Sequence, residues 1–388
     1  MLPYTLSALF VLLSTFRTTL AQSTSSSTAC NNSPSLCNRA YNNVSHLGAH
    51  NSPFVRDESN DYSLSGNQYF NSSTQLSAGV RLLTAQVQTN SDSGELHVCH
   101  TSCSLLDAGK LSDWLSEVNG WLEDNPNDVV TVLLVNGAGA SANDLATEYE
   151  TAGIGDIAYT PTSSSSSSSA LSSASTAAST AASTAASSSS DWPTLQNLID
   201  QGTRMVNFVA DLDDNSGASY LLNQYDYVFE NDYNNVSPTD FSCEASRPAR
   251  VANNAQQALN QGLMPLMNHF LYAEVAAFDI QYPNTSYIDT TNAPSGGTGN
   301  LGASASRCSS EYGRAPTFIV VDFFNVGPAI ETVDSLNGVT DPVGRATVSE
   351  EVMGTSSAAT TGAATVTLPH RYALMLCLTV LAITLDVA

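Results

Sequence analysis

The sequence predicts an α/β fold, because short β-prone apolar runs alternate with helical segments along most of its length. The strand-like runs occupy residues 44–50, 80–87, 129–135, 205–210, 263–271 and 317–324. Repeated strand–helix units are compatible with a closed (β/α) barrel or an open sheet, and we predict a TIM-type (β/α) barrel. In such a barrel, reactive side chains lie at the carboxyl ends of the strands.

Three helices are predicted among these strands. The clearest ends near residues 124–126 and has one apolar face, formed by Leu111, Trp114, Leu115, Val118, Trp121 and Leu122. A second helix is expected over residues 328–336, ended by Asn337 and Gly338. A third is expected to begin at Trp192, with Pro193 in its first turn.

Both ends of the chain carry apolar segments that predict processing signals. Residues 1–21 have the pattern of a secretory signal peptide. Residues 366–388 combine a polar spacer with an apolar tail and follow small residues, which is the pattern of a glycosylphosphatidylinositol (GPI) anchor signal. A membrane helix is the alternative, but the apolar run is short against the roughly 20 residues that a bilayer requires. We expect a secreted protein that a GPI anchor attaches to the plasma membrane or cell wall.

A low-complexity segment interrupts the predicted barrel. Residues 163–190 are almost entirely serine, alanine and threonine, and they bury too little apolar surface to offset the entropy cost of ordering. We predict a disordered, O-glycosylated insertion that divides the barrel into residues 22–162 and 191–346. A second Ser/Thr/Ala-rich stretch, residues 347–365, is expected to form a stalk towards the anchor.

The formal net charge of −24, with Lys110 as the single lysine, argues against nucleic-acid binding, which requires a basic surface. An anionic substrate is not attracted by such a field, so a phosphate site has to rely on local dipoles or on the few arginines.

The cysteines agree with a secreted protein. Six remain when Cys377 in the tail is set aside, and six can pair completely in an oxidising compartment. Proximity suggests the pairs Cys30–Cys37, Cys99–Cys103 and Cys243–Cys308, although other pairings stay open. Glycosylation sequons lie at Asn31, Asn43, Asn71, Asn235 and Asn284.

Two histidines at the ends of apolar runs, His50 and His100, are the main candidates for chemistry. One neutral and one protonated imidazole facing a phosphodiester supply the base and the acid for its cleavage near neutral pH. A zinc site that also includes His46 and His97 is disfavoured, because an extended strand places His97 and His100 on opposite faces. His46 and His97 are expected to be packed or surface residues.

Other motifs carry weaker signals. Asp211, Asp213 and Asp214 could bind a cation, but a solvated turn is the more common explanation. Glu230 is a candidate pocket residue with no role fixed by its neighbours. A serine hydrolase is disfavoured, since the sequence has no G-x-S-x-G motif.

Several segments together resemble a known family. In order, these are GAHNS over 48–52, AGVRLL over 78–83, LHVCH over 96–100, WLEDNP over 121–126 and VVTVLL over 129–134. They resemble the catalytic half of phosphatidylinositol-specific phospholipase C of the X-domain type, and more closely the secreted fungal PLC-like phosphodiesterases, which share a TIM-type barrel. The resemblance covers most of residues 30–340. It implies that His50 is the general base on the inositol hydroxyl and that His100 is the general acid to the leaving alcohol.

The remaining site residues follow from strand ends and from this resemblance. Asp322, which ends FIVVD over 318–322, is the candidate for orienting His50, because the last strand of a barrel returns beside the first; capping of the next helix is the alternative. Candidate contacts to the substrate are Asn51, Arg81, Gln86, Asn136 and His269, of which His269 has a structural alternative.

The chain departs from the family on its second strand. The bacterial enzymes have an acid and an arginine where this chain has Thr84 and Gln86, and the two acidic ligands of the calcium-dependent enzymes are also absent. We therefore expect no bound metal and no other cofactor.

The predicted function is that of a phosphoric diester hydrolase acting on a phospholipid or related phosphodiester at the cell surface. The alternative is a catalytically inactive, GPI-anchored surface protein that retains the barrel. The missing charges on the second strand favour this alternative.

Overall fold

The computed structural model describes residues 28–161, 192–275 and 280–354. The predicted signal peptide, the predicted insertion at 163–190, the last part of the stalk and the anchor tail with Cys377 lie outside the described residues. Within the described part of the chain, no helix is long and apolar enough to cross a membrane.

A curled parallel sheet forms the centre of the fold. In chain order, the strands are β1 (His46–Ala49), β2 (Leu82–Thr89), β3 (Leu96–Cys99), β4 (Asp107–Lys110), β5 (Val130–Asn136), β6 (Met205–Ala210), β7 (Leu221–Asn223), β8 (Val228–Glu230), β9 (Met264–Asn268), β10 (Tyr272–Val275), β11 (Ile280–Pro283) and β12 (Phe318–Val321). Eight of them run in the order β7-β6-β5-β2-β1-β12-β9-β8, with every neighbouring pair parallel. This arrangement confirms the α/β class as a TIM-type half barrel, in which the last strand, β12, lies beside the first.

The helices of the described residues are α1 (Ser72–Ser77), α2 (Leu111–Asp124), α3 (Ala142–Thr151), α4 (Leu195–Asp200), α5 (Gln224–Tyr227), α6 (Ala255–Asn260), α7 (Ile288–Thr291), α8 (Leu301–Tyr312) and α9 (Ala329–Asn337). The first two predicted helices correspond to α2 and α9. The third prediction was wrong in its start, because the Thr194 side chain accepts a hydrogen bond from the Asn197 N–H and caps α4. Pro193 therefore precedes the helix.

Side-chain alternation along the strands separates two apolar layers. The Phe208 and Phe318 rings lie 6.1 Å apart, although three strands separate β6 from β12 in the sheet order, so both rings point into the curled interior. Leu47, Leu83 and Ile319 belong to a second cluster, which includes the buried face of α2. Each such buried side chain contributes about 1.5–3 kcal/mol of hydrophobic stabilisation.

Gly48 shows how tightly the interior is packed at β1. A Cβ atom at this position would lie 2.9 Å from Leu82 Cδ2 and 3.1 Å from Val320 Cγ2. The first contact is shorter than real Cβ atoms make and the second is tighter than most, so any larger residue would force the Leu82 and Val320 side chains to move.

The three disulfide pairs are those predicted, namely Cys30–Cys37, Cys99–Cys103 and Cys243–Cys308. Two of the five sequon asparagines, Asn31 and Asn235, are buried in the folded chain. Their side chains are therefore poorly placed to carry a glycan.

Candidate active site

His50 and Asp322 form a hydrogen-bonded pair at the carboxyl end of the half barrel. His50 follows β1 and Asp322 follows β12, and the register of these paired strands sets Ala49 opposite Val321. The His50 backbone N–H donates to Val321 O at 2.9 Å, and His50 Nδ1 lies 2.9 Å from Asp322 Oδ1. With the carboxylate as acceptor, the proton belongs on Nδ1, which leaves Nε2 free to accept a proton.

Two further residues hold this pair in place. The Phe270 ring stacks on the His50 imidazole, with 3.9 Å between ring centroids and 6° between planes. Asn67 Nδ2 donates to Asp322 Oδ1 at 2.9 Å and lies 3.3 Å from His50 Nδ1. The Asp322 side chain is only 2% exposed and that of His50 is 15% exposed, so the carboxylate is enclosed while the imidazole reaches solvent.

His100 reaches the same end of the barrel from a strand outside the parallel set. It follows β3, which pairs antiparallel with β2 and is not one of the parallel barrel strands. The strand β2 extends beyond the barrel edge, and β3 leads the chain back along it. The Cys99–Cys103 disulfide encloses His100, whose N–H donates to Leu106 O at 2.9 Å.

The environment of His100 lowers its pKa to about 4, first through burial and second through the charge of His50. The second cause shows that the two imidazoles lie within electrostatic reach of each other. His100 also meets the edge of the Phe54 ring, with 5.3 Å between centroids. In the free protein, the lowered pKa leaves His100 largely neutral at pH 7.

A cavity of about 250 Å³ opens beside His50. Its polar wall includes Asn51, Gln86, Glu230, Arg247 and Asn268. Among the described residues that line it, Arg247 is the single arginine or lysine. The cavity therefore combines the His50 imidazole with the guanidinium of Arg247, and His100 is not among its lining residues.

Arg247 was not predicted from the sequence. Its Nε lies 2.8 Å from Glu230 Oε1, and its guanidinium carbon lies 4.5 Å from the centroid of the Tyr233 ring. Glu230 is buried and also accepts a hydrogen bond from Asn268 Nδ2 at 2.9 Å. The segment carrying Arg247 folds back along β8, where the Glu230 N–H donates to Arg247 O at 2.9 Å. This side of the cavity is formed by Glu230, Tyr233, Arg247 and Asn268, and only Glu230 was a candidate from the sequence.

Arg81, Asn136 and His269 were predicted to contact the substrate, and the structure places all three away from the cavity. Arg81 precedes β2 at the amino end of the barrel, where it is buried and ion-paired with Asp128 at 2.7 Å. Asn136 exchanges hydrogen bonds with the backbone of Ala140.

His269 is fully buried and stacks on Phe241, with Nε2 3.0 Å from Thr291 O. The physical reason for the errors at Asn136 and His269 is alternation, since their neighbours Val135 and Asn268 are the residues that line the cavity.

The other histidines take structural positions, as predicted. His46 is buried and stacks on Phe318 at 5.6 Å, and His97 Nδ1 lies 2.9 Å from Asp107 Oδ1. His97 and Asp107 also lie near Cys99 in the one metal-like cluster of the described residues, but the Cys99 sulfur is bonded to Cys103 and offers no thiolate. This cluster does not fit a metal ion.

Each of the three candidate catalytic residues is followed by a residue with left-handed backbone geometry. Asn51 has φ 50°, Thr101 has φ 59° and Phe323 has φ 42°. Non-glycine residues adopt this region rarely, and such strain concentrates at functional sites. In this protein, the left-handed geometry turns the chain sharply just after His50, His100 and Asp322.

A parallel half barrel with a histidine–carboxylate pair at its carboxyl end defines a PLC-like barrel protein. The chain belongs to the PI-PLC X family, whose model, described as PI-PLC X 1, matches residues 36–169 and 165–337.

Two relatives from Arthroderma benhamiae support the assignment to this family. One, named "Uncharacterized secreted protein", is 34% identical over 339 residues, which is 84% of this chain and 69% of the relative. The other, named "PI-PLC X domain-containing protein 1", is 33% identical over 311 residues, which is 80% of this chain and 90% of the relative.

Solved structures that match part of this chain include bacterial phospholipases. Phosphatidylinositol-specific phospholipase C from Listeria monocytogenes matches with a TM-score of 0.46 and 13% identity, over 77% of this chain and 95% of that chain. A pentafluoro-Phe form of the Staphylococcus aureus enzyme matches with a TM-score of 0.47 and 14% identity, over 76% of this chain and 93% of that chain.

Proposed function

We propose that this protein is a phosphoric diester hydrolase that cleaves a phospholipid or related phosphodiester by histidine general base and general acid catalysis. The observation that carries the proposal is the convergence of the His50–Asp322 pair and His100 at one end of the half barrel. Membership of the PI-PLC X family supports a phosphodiester as the substrate.

The proton transfers follow from the geometry of the pair. His50 Nε2 takes the proton of a substrate hydroxyl, the hydroxyl oxygen then bonds to phosphorus, and the bond from phosphorus to the leaving alcohol breaks. Protonated His100 donates its proton to the leaving oxygen. Water then opens the resulting cyclic diester with the two histidine roles exchanged, which completes the hydrolysis and restores both protonation states. Because His100 is largely neutral in the free protein, the anionic phosphate has to favour its protonated form on binding.

Charge on the phosphate requires a local positive group, since the chain carries a net charge of −24. Arg247 supplies this charge from the cavity wall and takes the place of the missing arginine on the second strand. Asn51 and Gln86 also line the cavity, and each side-chain amide has a second N–H that can reach a substrate oxygen. The proposed chemistry uses no metal ion.

The proposed location is outside the cell. One relative carries the word "secreted" in its name, which supports secretion of this chain. The predicted GPI anchor and the phospholipid substrate class then suit an enzyme that works at the cell surface.

The test is turnover by the purified secreted protein on phosphatidylinositol vesicles and on soluble phosphodiesters. We expect His50→Ala and His100→Ala each to lower turnover by about 100-fold or more, since general acid–base groups contribute about 10²–10⁴-fold. His97→Ala is the matched control, because His97 pairs with a carboxylate outside the cavity. Equal turnover in all four proteins, or none in the wild type on either substrate, would overturn the proposal.

A further inference from the structure

A continuous chain of side-chain amides joins Asp322 to the backbone beside His100. Asn67 Nδ2 donates to Asp322 Oδ1 at 2.9 Å, and Asn67 Oδ1 accepts from Asn51 Nδ2 at 3.2 Å. Asn51 Oδ1 accepts from Gln86 Nε2 at 3.3 Å, and Gln86 Oε1 accepts from the Thr101 N–H at 2.9 Å. We call Asn67, Asn51 and Gln86 the amide chain.

The two ends of the amide chain fix the direction of every hydrogen bond within it. The carboxylate of Asp322 only accepts, and the backbone N–H of Thr101 only donates. Each of the three amides must therefore present its NH₂ group towards Asp322 and its oxygen towards His100. Aligned amides of this kind polarise one another, which strengthens each bond in a protected site.

The two ends of the amide chain also hold the two imidazoles. Asn67 contacts both members of the His50–Asp322 pair. Thr101 follows His100 directly, has a left-handed backbone, and lies within the loop closed by Cys99 and Cys103. The bond from the Thr101 N–H to Gln86 therefore ties the His100 loop to the inward face of β2.

We propose that the amide chain positions His50 and His100 relative to each other, with Gln86 as the residue that holds the His100 loop. This inference rests on the proposed function, in which both imidazoles act on one substrate. It assigns Asn67, Asn51 and Gln86 a positioning role that is separate from any contact with the phosphate. One member of this neutral network, Gln86, stands on the second strand at a position where the family resemblance leads one to expect a charged residue.

The first test does not depend on turnover. NMR titration of the His100 imidazole is compared in the wild type, Gln86→Met and the control Gln88→Met, which changes the same residue type two positions along β2. Loss of the bond to Thr101 frees the loop and admits water, so we expect His100 to titrate above about 4 and nearer to 6.5 in Gln86→Met. Gln88→Met should leave the titration unchanged.

Gln86→Asn provides a second variant if Gln86→Met does not fold. Its side chain keeps the amide but is one methylene too short to span Thr101 and Asn51, so the same upward shift is expected. An unchanged His100 titration in the folded Gln86 variants would overturn the proposal.

Kinetics on phosphatidylinositol vesicles separate positioning from substrate contact. We expect kcat to fall by about 10- to 100-fold in Gln86→Met, with any rise in KM from the lost second N–H smaller than this fall. A raised KM with unchanged kcat would contradict a positioning role. If His50→Ala leaves turnover intact, the proposed function fails, whereas the His100 titration still decides the role of the amide chain.

Discussion

His50 Nδ1 lies 2.9 Å from Asp322 Oδ1, although 272 positions separate the two residues along the sequence. Parallel pairing of β1 with β12 produces this contact, because both side chains follow directly after paired strand ends. A carboxylate at Nδ1 fixes the tautomer and ring orientation of the imidazole and stabilises the positive charge that forms when Nε2 accepts a proton.

We expect Asp322→Asn to lower kcat by at least about 10- to 100-fold, because the amide no longer stabilises a protonated His50. Asp107→Asn is the matched control, since Asp107 makes the same 2.9 Å contact with His97 outside the cavity. Steady-state kinetics of both variants provide the measurement. A comparable loss in Asp107→Asn would show that the effect is one of folding.

Removal of Arg247 tests the source of positive charge in the cavity. We expect Arg247→Gln to lower kcat/KM by about 10²–10³-fold, because the phosphate then lacks its charged partner. Arg345→Gln serves as the control, since Arg345 pairs with Asp334 away from the cavity. Thermal melting should accompany the kinetics, because Arg247→Gln also leaves Glu230 without its cation. Retention of full kcat/KM in folded Arg247→Gln would exclude the assigned role.

Stability should fall as the pH is lowered from about 6.5 to about 4. Burial lowers the pKa of His46 and of His269 from 6.5 to about 4. Between these values the unfolded chain binds more protons than the folded chain, so the free energy of unfolding decreases as the pH falls, by up to about 3 kcal/mol for each histidine. Above pH 6.5 this contribution is constant.

Urea unfolding measured at about pH 7 and about pH 4.5 checks this pH dependence. His269→Gln removes one titrating group, so its loss of stability between the two values should be smaller than that of the wild type. An equal loss in both proteins would show that His269 does not contribute.

We expect the Cys99–Cys103 and Cys243–Cys308 disulfides to differ in their effects on stability and on turnover. The chain-entropy relation gives about 2 kcal/mol for Cys99–Cys103, with a separation of 4 residues, and about 4 kcal/mol for Cys243–Cys308, with a separation of 65. We expect the double serine variant of Cys99 and Cys103 to lose the smaller amount of stability but much turnover, because it loosens the His100 loop. The double serine variant of Cys243 and Cys308 should show the reverse. Thermal melting and turnover of both variants provide the comparison, and full turnover after loss of the Cys99–Cys103 bond would contradict this role.

Much of the barrel could be predicted because its central strands are continuous apolar runs, and β6 coincides with the predicted residues 205–210. The strands β7 and β8 have only three residues each, which is too short for a periodic signal. The antiparallel pairing of β3 could not be predicted, because pairing direction is set by the turn that follows β2 and by tertiary contacts.

The candidate site was predictable where a residue directly continues the inward face of a strand, as His50 and Asp322 do. Asn136 and His269 are each one position away from that face, and a shift of one residue reverses the direction of a side chain. Asn67 and Arg247 lie outside the strands, in segments that reach the site only through the folded backbone, so no local pattern identifies them.

The most direct test of the account compares turnover of phosphatidylinositol by His50→Ala, by His100→Ala and by the double variant. Two groups that act as one acid–base unit are strongly non-additive, so removal of the second should cost little once the first is gone. We predict that the double variant retains turnover within about threefold of the less active single variant. Multiplication of the two single losses, or wild-type turnover in either single variant, would contradict a shared role at one substrate.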